Sequence, residues 1–443
     1  MMNEEDLLSL STSSTISDLY RHLQSHPEYK KKKNYDHISY RVLFIKSMMA
    51  NQEVTPLINI SLTEPQQDGG ERVSKDMRTV VAKKAIDFND LMHSLGCKLL
   101  YVKSGSTGHT FRGIMPVMMG GGGEPFTGST SATTGQPHFN VGVKVVAYPK
   151  KGKYGSVHAC SRPENAEIMM LRVLADLVVN NHTPHIVLPI ATFNSSIRPF
   201  INLSSQKIVT NKRFDEFVER YKKGEMHSTV SVLMSEWANG GDLLDYFRKN
   251  YTSMKLIHWK VIFFQIISAL AVIFKKYPDF RHNDLKANNI LVHKIEAHRK
   301  NRHKYVINGK RYCVPNVGVQ VKLWDFDFAC IPSLVDNAKV DAKWTDRINV
   351  RPQRNQYYDL HYLFNTLCKK GFFPEIITSP SVPSQVGDFL RRVVPDKYSQ
   401  QSGGTTLKGR LLVDDEYITP EKLLEDEFFA SLLVVAIPPT QKK

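Results

Sequence analysis

A chain of 443 residues that is 42% hydrophobic and 23% charged carries enough apolar side chain for a sizeable core, and too much for a disordered or fibrous protein. Its formal charge of +16 and pI near 9.4 imply either a solvated basic surface or attraction to polyanions such as nucleic acid, anionic lipid or acidic protein. The five cysteines (Cys97, Cys160, Cys313, Cys330, Cys368) are odd in number and scattered, with no CxxC or Cys/His spacing, which argues against a disulfide framework or a zinc site and fits a reducing, intracellular compartment.

Residues 1–95 are polar and charge-rich, with a lysine run from Lys30 to Lys33 and amphipathic stretches at Ile16 to Leu23 and Phe88 to Leu95. They are expected to form a basic, partly helical or disordered extension able to contact polyanions or anionic lipid. No basic start, apolar stretch and small-residue cleavage site combine there, so secretion is not expected. Strand-type segments follow at Leu99 to Lys103, Val141 to Val146, Val187 to Ile190 and Val230 to Met234, around one helical segment from Glu164 to Val179. Residues 113–137, with Gly120 to Gly123 and a Gly/Ser/Thr-rich run, have too little apolar side chain to order themselves and are expected to be a flexible insertion.

Helical segments dominate after Gly241. From Ile257 to Tyr277, Ile262, Phe263, Ile266, Ile267, Leu270, Ile273 and Phe274 recur at helical spacing, and Pro278 stops the run. Its apolar stretch, Val261 to Phe274, carries Gln265 and Ser268 and falls short of the ~20 residues of a membrane span, so it reads as a core helix and no transmembrane segment is expected. The switch from strands to helices predicts an α+β fold with a small sheet-rich part over 96–236, a larger helical part over 237–436 and a tail over 437–443.

The chemistry is concentrated just after that helix. His282-Asn283-Asp284-Leu285-Lys286-Ala287-Asn288-Asn289 precedes the apolar Ile290-Leu291-Val292, and Leu323-Trp324-Asp325-Phe326-Asp327 follows downstream. This order resembles the protein-kinase family, with H-R-D-L-x-x-x-N first and D-F-G second. The resemblance implies a two-lobed fold and ATP- and Mg2+-dependent phosphoryl transfer, a reaction that needs alignment of the acceptor and neutralisation of phosphate charge more than covalent help. It casts Asp284 as the acid that receives or orients the substrate hydroxyl proton, and Asn289 and Asp325 as oxygen ligands of magnesium. Lys286 stands where serine/threonine kinases place a lysine toward the γ-phosphate, implying serine or threonine acceptors on protein substrates.

Upstream, Val141-Gly142-Val143-Lys144-Val145-Val146 resembles the V-A-I-K strand, and Lys144 is the candidate for the α- and β-phosphates. Two glutamates could pair with it. Ser161-Arg162-Pro163-Glu164 reads as a capping box that occupies Glu164, so Glu167, one turn further in, is the better candidate. Gly105 and Gly108 match the second and third glycines of a phosphate-covering loop, although Lys103 replaces the first and Thr110 the following valine. The segment from Val232 to Leu243 resembles the hinge between lobes. Backbone groups of Glu236 and Ala238 would bind adenine, Asp242 would accept from a ribose hydroxyl, and Ser235 would stand at the rear of the adenine site.

Several positions depart from the family. Asn283 replaces the arginine that reads a phosphate on the activation segment, which argues against activation by that phosphate, and Asp327 replaces the glycine of D-F-G. No A-P-E precedes Tyr357-Tyr358-Asp359, where Asp359 resembles the buried acid that braces the catalytic loop. Basic residues Lys339, Lys343, Arg347, Arg351 and Arg354 exceed Asp336, Asp341 and Asp346 in the intervening segment, an excess that fits acidic substrates. Asp-Phe-Asp-Phe at 325–328, the insert from His293 to Gln320 and Tyr-Tyr-Asp at 357–359 are similar to the divergent serine/threonine kinases of large cytoplasmic DNA viruses, including the poxvirus virion-assembly kinase. That resemblance implies action in the host cytoplasm on virion or membrane-associated proteins, and presence in the particle. The alternative is a catalytically weak pseudokinase scaffold, favoured by the eroded glycine loop and Asp327.

Overall fold

The computed structural model describes residues 54–57, 80–105, 108–116, 138–205, 209–297 and 301–434. In chain order to Trp237 the elements are β1 (Thr55–Pro56), α1 (Phe88–Ser94), β2 (Lys98–Ser104), β3 (His109–Pro116), β4 (His138–Pro149), α2 (Pro163–Val179), β5 (Pro189–Ser196), α3 (Arg198–Ser205), α4 (Lys212–Lys222) and β6 (Met226–Glu236). Two compact units emerge. One holds the described residues up to Ala159 together with Leu188–Trp237; the other holds Cys160–Val187, and therefore α2, with the described residues from Ala238 onward.

The first unit is a six-stranded antiparallel sheet in the order β1-β5-β6-β4-β3-β2. Its central strand β4 has Val141, Val143 and Val145 buried on one face, and Gly142, Lys144 and Val146 buried on the other. β3 runs through Gly113 to Pro116, so the expected insertion begins later than 113; its remainder, 117–137, lies outside the described residues. Gly113 is required there, because a Cβ would meet Val141 Cγ2 at 2.7 Å and Cys97 Sγ at 2.8 Å. The apolar run around Val187 to Ile190 is only the start of β5, which continues through polar residues to Ser196. Those polar residues are satisfied internally: Thr192 Oγ1 donates to Val232 O (2.8 Å), and Asn194 Oδ1 accepts from the Tyr148 hydroxyl (2.8 Å).

Part of the expected extension belongs to this unit. Thr55 and Pro56 pair with β5, Asn194 exchanges backbone hydrogen bonds with Lys84 and Ile86, and Asp87 caps α1 by accepting from Asn89 N and Asp90 N. Phe88 then packs on Phe200, ring centroids 4.7 Å apart. The lysine run Lys30 to Lys33 and the tail 437–443 lie outside the described residues.

In the second unit α5 (Leu243–Asn250), α6 (Leu256–Lys276), strands β7 (Ile290–Lys294), β8 (Arg302–Ile307), β9 (Lys310–Pro315) and β10 (Val319–Leu323), and helices α7 (Lys343–Asp346), α8 (Gln356–Leu367), α9 (Glu375–Thr378), α10 (Ser384–Val393) and α11 (Pro420–Leu423) surround a core centred on α6. At 21 residues α6 is long and apolar enough to cross a membrane. It is core instead: Phe263 meets Phe364, Phe389 and Phe428, and Phe264 meets Tyr305, Tyr312 and Phe429. Burying each such ring contributes about 1.5–3 kcal/mol. Gln265 in its middle donates to Val319 O (3.1 Å) and accepts from Val321 N (2.9 Å), closing the edge of β10. β8 and β9 form a hairpin whose turn, Asn308-Gly309, has φ of 47° and 73°.

At the start of α2 the N-cap is Arg162 and not Ser161, and no side chain caps the helix. Pro163 supplies the first turn, and Glu164 forms a 2.9 Å ion pair with the buried Arg162 guanidinium. The capping box is therefore replaced by a local salt bridge, which still occupies Glu164.

Candidate active site

Two structural devices hold the loop from Arg281 to Asn289. The first is Asp359 on α8, a helix capped by Asn355, whose Oδ1 accepts from Tyr357 N (3.1 Å) and Tyr358 N (2.9 Å). Fully buried, Asp359 accepts from His282 N (2.7 Å) and Asn283 N (2.9 Å), the bracing role its position implied. Burial raises its carboxyl above the ordinary range, while His282, Arg281 and the two backbone donors pull the other way. The second device is the antiparallel pairing of β7 with β10, which sets Ile290 opposite Leu323. The residues flanking that rung are Asn289 and Trp324, joined by Trp324 N to Asn289 O at 3.1 Å. Strand register thus delivers Asn289 beside the segment that begins Trp324-Asp325, and His282 Nε2 fastens the same segment by a 3.1 Å bond to Trp324 O.

Asp284 sits at the centre of this arrangement, 6% exposed. Its Oδ2 accepts from Lys286 Nζ (2.7 Å) and Asn289 Nδ2 (3.0 Å), and its Oδ1 from Arg410 Nη2 (2.5 Å). Asn289 Nδ2 also donates to Asp284 O (2.9 Å), so both amide hydrogens are engaged and its Oδ1 is the atom left to face a cation. Asp325 adopts φ of 65°, a left-handed conformation uncommon for a non-glycine residue and typical of functional sites where surrounding bonds impose it. Among the described residues no three His, Cys, Asp or Glu side chains converge on a metal position. Two oxygen donors, Asn289 and Asp325, fit magnesium, which takes few protein ligands and completes its shell with phosphate and water.

The departures from the kinase pattern each have a partner. Asp327 is paired with Lys339 Nζ at 2.7 Å, and that ammonium lies 3.7 Å from the centre of the Phe328 ring. Lys339→Met is expected to cost about 3 kcal/mol by leaving a largely buried carboxylate unpaired, and adding Asp327→Ala should recover most of it. Urea unfolding of the two single variants and the double variant measures the cycle; additive effects would show the pair to be uncoupled. Asn283, at φ of 61°, donates from Nδ2 to Phe328 O (3.2 Å) and Arg351 O (3.3 Å), so an amide grips the segment directly. The expected basic excess is partly neutralised: besides Lys339, Arg351 meets Asp414 (3.3 Å) and Arg354 meets Glu416 (3.3 Å), which weakens the expectation of acidic substrates.

Arg410 was not singled out by the sequence, where it stands between Gly409 and the apolar Leu411-Leu412-Val413 with no motif around it. It is buried, donates to Asn283 O and the Tyr358 hydroxyl as well as to Asp284, and lies 4.4 Å from the Tyr362 ring centroid. Burial opposes its charge, but Tyr358, Tyr362 and Asp284 outweigh that and raise its pKa. Burial likewise raises the Tyr362 phenol beside Asp284.

In the first unit, Lys144 is 6% exposed on β4, and the glycine turn joining β2 to β3 lies against it. A Cβ on Gly108 would meet Val146 Cγ2 at 2.9 Å, Val145 O at 3.0 Å and Lys144 Cε at 3.5 Å, so only glycine allows this approach. Gly105 N donates to Gly108 O (2.8 Å) to close the turn. Ser235 faces Gly142 across β4 and β6, while Glu236 binds Leu188 through both its backbone N (2.9 Å) and its Oε1 (2.8 Å). Glu167 and Asp242 are in the second unit, as is Ala238. Glu167 is buried in α2, and Asp242 caps α5 by accepting from Asp245 N (3.0 Å), a task that its place directly before Leu243-Leu244 signals and the ribose expectation left out. Lys144 and Glu167 therefore stand on different units.

A profile described as "Poxvirus serine/threonine protein kinase" matches residues 240–402, which include Asp284, Lys286, Asn289, Asp325 and Asp359. The chain is 42% identical over 391 residues to the Acanthamoeba polyphaga mimivirus protein named "Putative serine/threonine-protein kinase R400", covering 87% of this chain and 78% of the relative. The chain belongs to the poxvirus serine/threonine protein kinase family. A Monkeypox virus relative, "Serine/threonine-protein kinase 2", is 33% identical over 138 residues, 30% of this chain and 27% of its own. Within the poxvirus kinase family, Arg410 lies beyond the residues matched by the profile, whereas every partner it holds in the loop lies inside them.

Proposed function

We propose that this protein is an ATP- and Mg2+-dependent serine/threonine protein kinase of two-lobed, kinase-like architecture. The observation that carries the reading is Asp284: a buried carboxylate fixed by Lys286 and Asn289, on a loop braced by Asp359 and linked by strand register to Asp325. Asp284 orients an acceptor hydroxyl and receives its proton, and its fixed position supplies the alignment that phosphoryl transfer demands. Asn289 Oδ1 and Asp325 would hold magnesium, which when bound neutralises phosphate charge. Lys144 and the Gly105 to Gly108 turn would take the phosphates, Glu167 would orient Lys144, and backbone groups of Glu236 and Ala238 with Asp242 would take the nucleoside. Lys286, already on Asp284, stands ready for the transferring phosphate.

The test is radiolabelled ATP with magnesium and a cell or virion extract, comparing wild type with Lys144→Met. Equal labelling would end the kinase reading and favour the scaffold. Membership of the poxvirus kinase family supports extending the proposal to virion or membrane-associated substrates in infected-cell cytoplasm, checked by whether purified particles contain the protein. Contact with anionic lipid through Lys30 to Lys33 is checked by vesicle binding at rising salt.

Ser235 adds a prediction about inhibitors. It is buried and small, and a Cβ on the facing Gly142 would lie 2.8 Å from Ser235 Oγ, so there is little room for two larger side chains. Adenine-site inhibitors with bulky substituents are expected to bind wild type and to lose about tenfold or more in affinity on Ser235→Met, the cost of steric overlap of a few methylene groups. Equal potency on both would count against this placement.

A further inference from the structure

The geometry points to Arg410 as a positioning residue that holds the catalytic carboxylate permanently in its working orientation, doing from a distant C-terminal segment what a phosphate-reading arginine does in regulated kinases. This inference rests on the kinase reading above. One nitrogen of the guanidinium binds Asn283 O and the other Asp284 Oδ1, so a single planar cation fixes both the backbone of the loop and the plane of the carboxylate. The position that would carry the regulatory arginine is Asn283, whose amide is occupied with Phe328 O and Arg351 O. The cation beside Asp284 arrives instead from residue 410.

The segment that presents Arg410 is built for the purpose. Thr406 N donates to Arg410 O (2.8 Å), Arg410 N to Thr406 Oγ1 (3.0 Å), and Asn365 Nδ2 to Gly409 O (2.8 Å). Gly409 takes φ of 86°, which turns the chain so that the next residue enters the site. The same segment fastens residues 349–356: Asn349 Nδ2 binds Leu411 O (2.8 Å), Arg351 meets Asp414, and Glu416 Oε1 accepts from Gln356 N (2.9 Å). Residues 405–416 therefore clamp the catalytic carboxylate and the far end of the activation segment together, without a phosphate. A purely structural ion pair would need no such coupling, since a buried pair is weak support for stability and apolar side chains would fill the space.

The experiment measures kcat, KM for ATP and melting temperature of wild type, Arg410→Ala and Arg410→Lys, with and without millimolar guanidinium, and wild type before and after phosphatase treatment. Arg410→Ala should lower kcat about a hundredfold, the size expected of a misplaced reacting group, with KM for ATP within about threefold. Guanidinium should restore at least about tenfold of that loss, since it refills the vacated cation position. Arg410→Lys, which keeps charge and stem but not the fork, should fold normally and lose about tenfold in kcat. Phosphatase should leave wild-type activity within about twofold, because no phosphate completes the site. An active wild type whose Arg410→Ala variant keeps its kcat, whose loss merely tracks a fall in melting temperature without guanidinium rescue, or which phosphatase inactivates, overturns the role of Arg410 alone. A wild type that transfers no label overturns the kinase reading and this inference with it.

Discussion

Asp284→Ala is expected to lower kcat roughly a thousandfold, the range for loss of a proton-accepting group from an aligned transfer reaction. Nucleotide affinity should stay within about threefold, because the residues proposed to hold ATP lie elsewhere and only alignment of the acceptor is removed. Label transfer from radioactive ATP, with fluorescence titration of a nucleotide analogue as the control for binding, measures both. Asp284→Asn sharpens the test. An amide keeps the shape but turns donor hydrogens toward Lys286, Asn289 or Arg410, which are themselves donors at this carboxylate. Activity retained by either variant would remove Asp284 from the chemistry.

The second large effect is on stability. Asp359→Asn should destabilise the fold by about 3 kcal/mol, since an amide can accept at one atom only and one of the buried N–H groups of His282 and Asn283 would lose its partner. The melting temperature should fall on the order of 6–12 °C for a unit of this size. The pH dependence has a definite sign. Burial raises the Asp359 carboxyl, so its ionisation opposes folding: the associated stability is present below the ordinary carboxylate pKa and is lost as pH rises through the raised folded-state value. Asp359→Asn should abolish that component. A variant that melts like wild type with an unchanged pH profile would refute the brace.

Much of this was legible from residues whose side chains speak locally. Helical spacing and the stop at Pro278 marked α6 within a residue at each end, because a largely buried helix repeats its apolar contacts at every turn. The order of Asp284, Lys286, Asn289 and Asp325 pointed to the loop that Asp359 braces and that strand register sets beside Trp324-Asp325. β5 was mislocated because its buried Thr192 and Asn194 look like surface residues until their hydrogen-bond partners on β6 and β4 are known. The Ser161 cap failed because the local signature competes with a buried arginine, and a 2.9 Å pair to Arg162 takes the glutamate that the cap would have used.

Long-range contacts explain the rest. Nothing near Asn283 in sequence says that a guanidinium will arrive from residue 410, and nothing near Arg410 says what it will hold. The strand Thr55–Pro56 was not legible because a two-residue edge pairing needs almost no pattern of its own. The β8–β9 hairpin did carry a signal, Asn308-Gly309 between alternating residues, which reads as a tight turn once the surrounding insert is taken as strands.

The distance between Asp284 and Arg410 along the chain has a consequence for synthesis. A ribosome completes the segments around Asp284 and Asp325 well before it reaches residue 410, so the nascent polypeptide carries Asp284 without its Arg410 partner. Only when 405–416 has emerged can Arg410 add its bonds to Asn283 O and Asp284, and Asn349 its bond to Leu411 O, to the hold that Lys286, Asn289 and Asp359 already exert. On the role proposed for Arg410, a chain halted short of that residue would therefore carry the loop without the cation that orients its carboxylate.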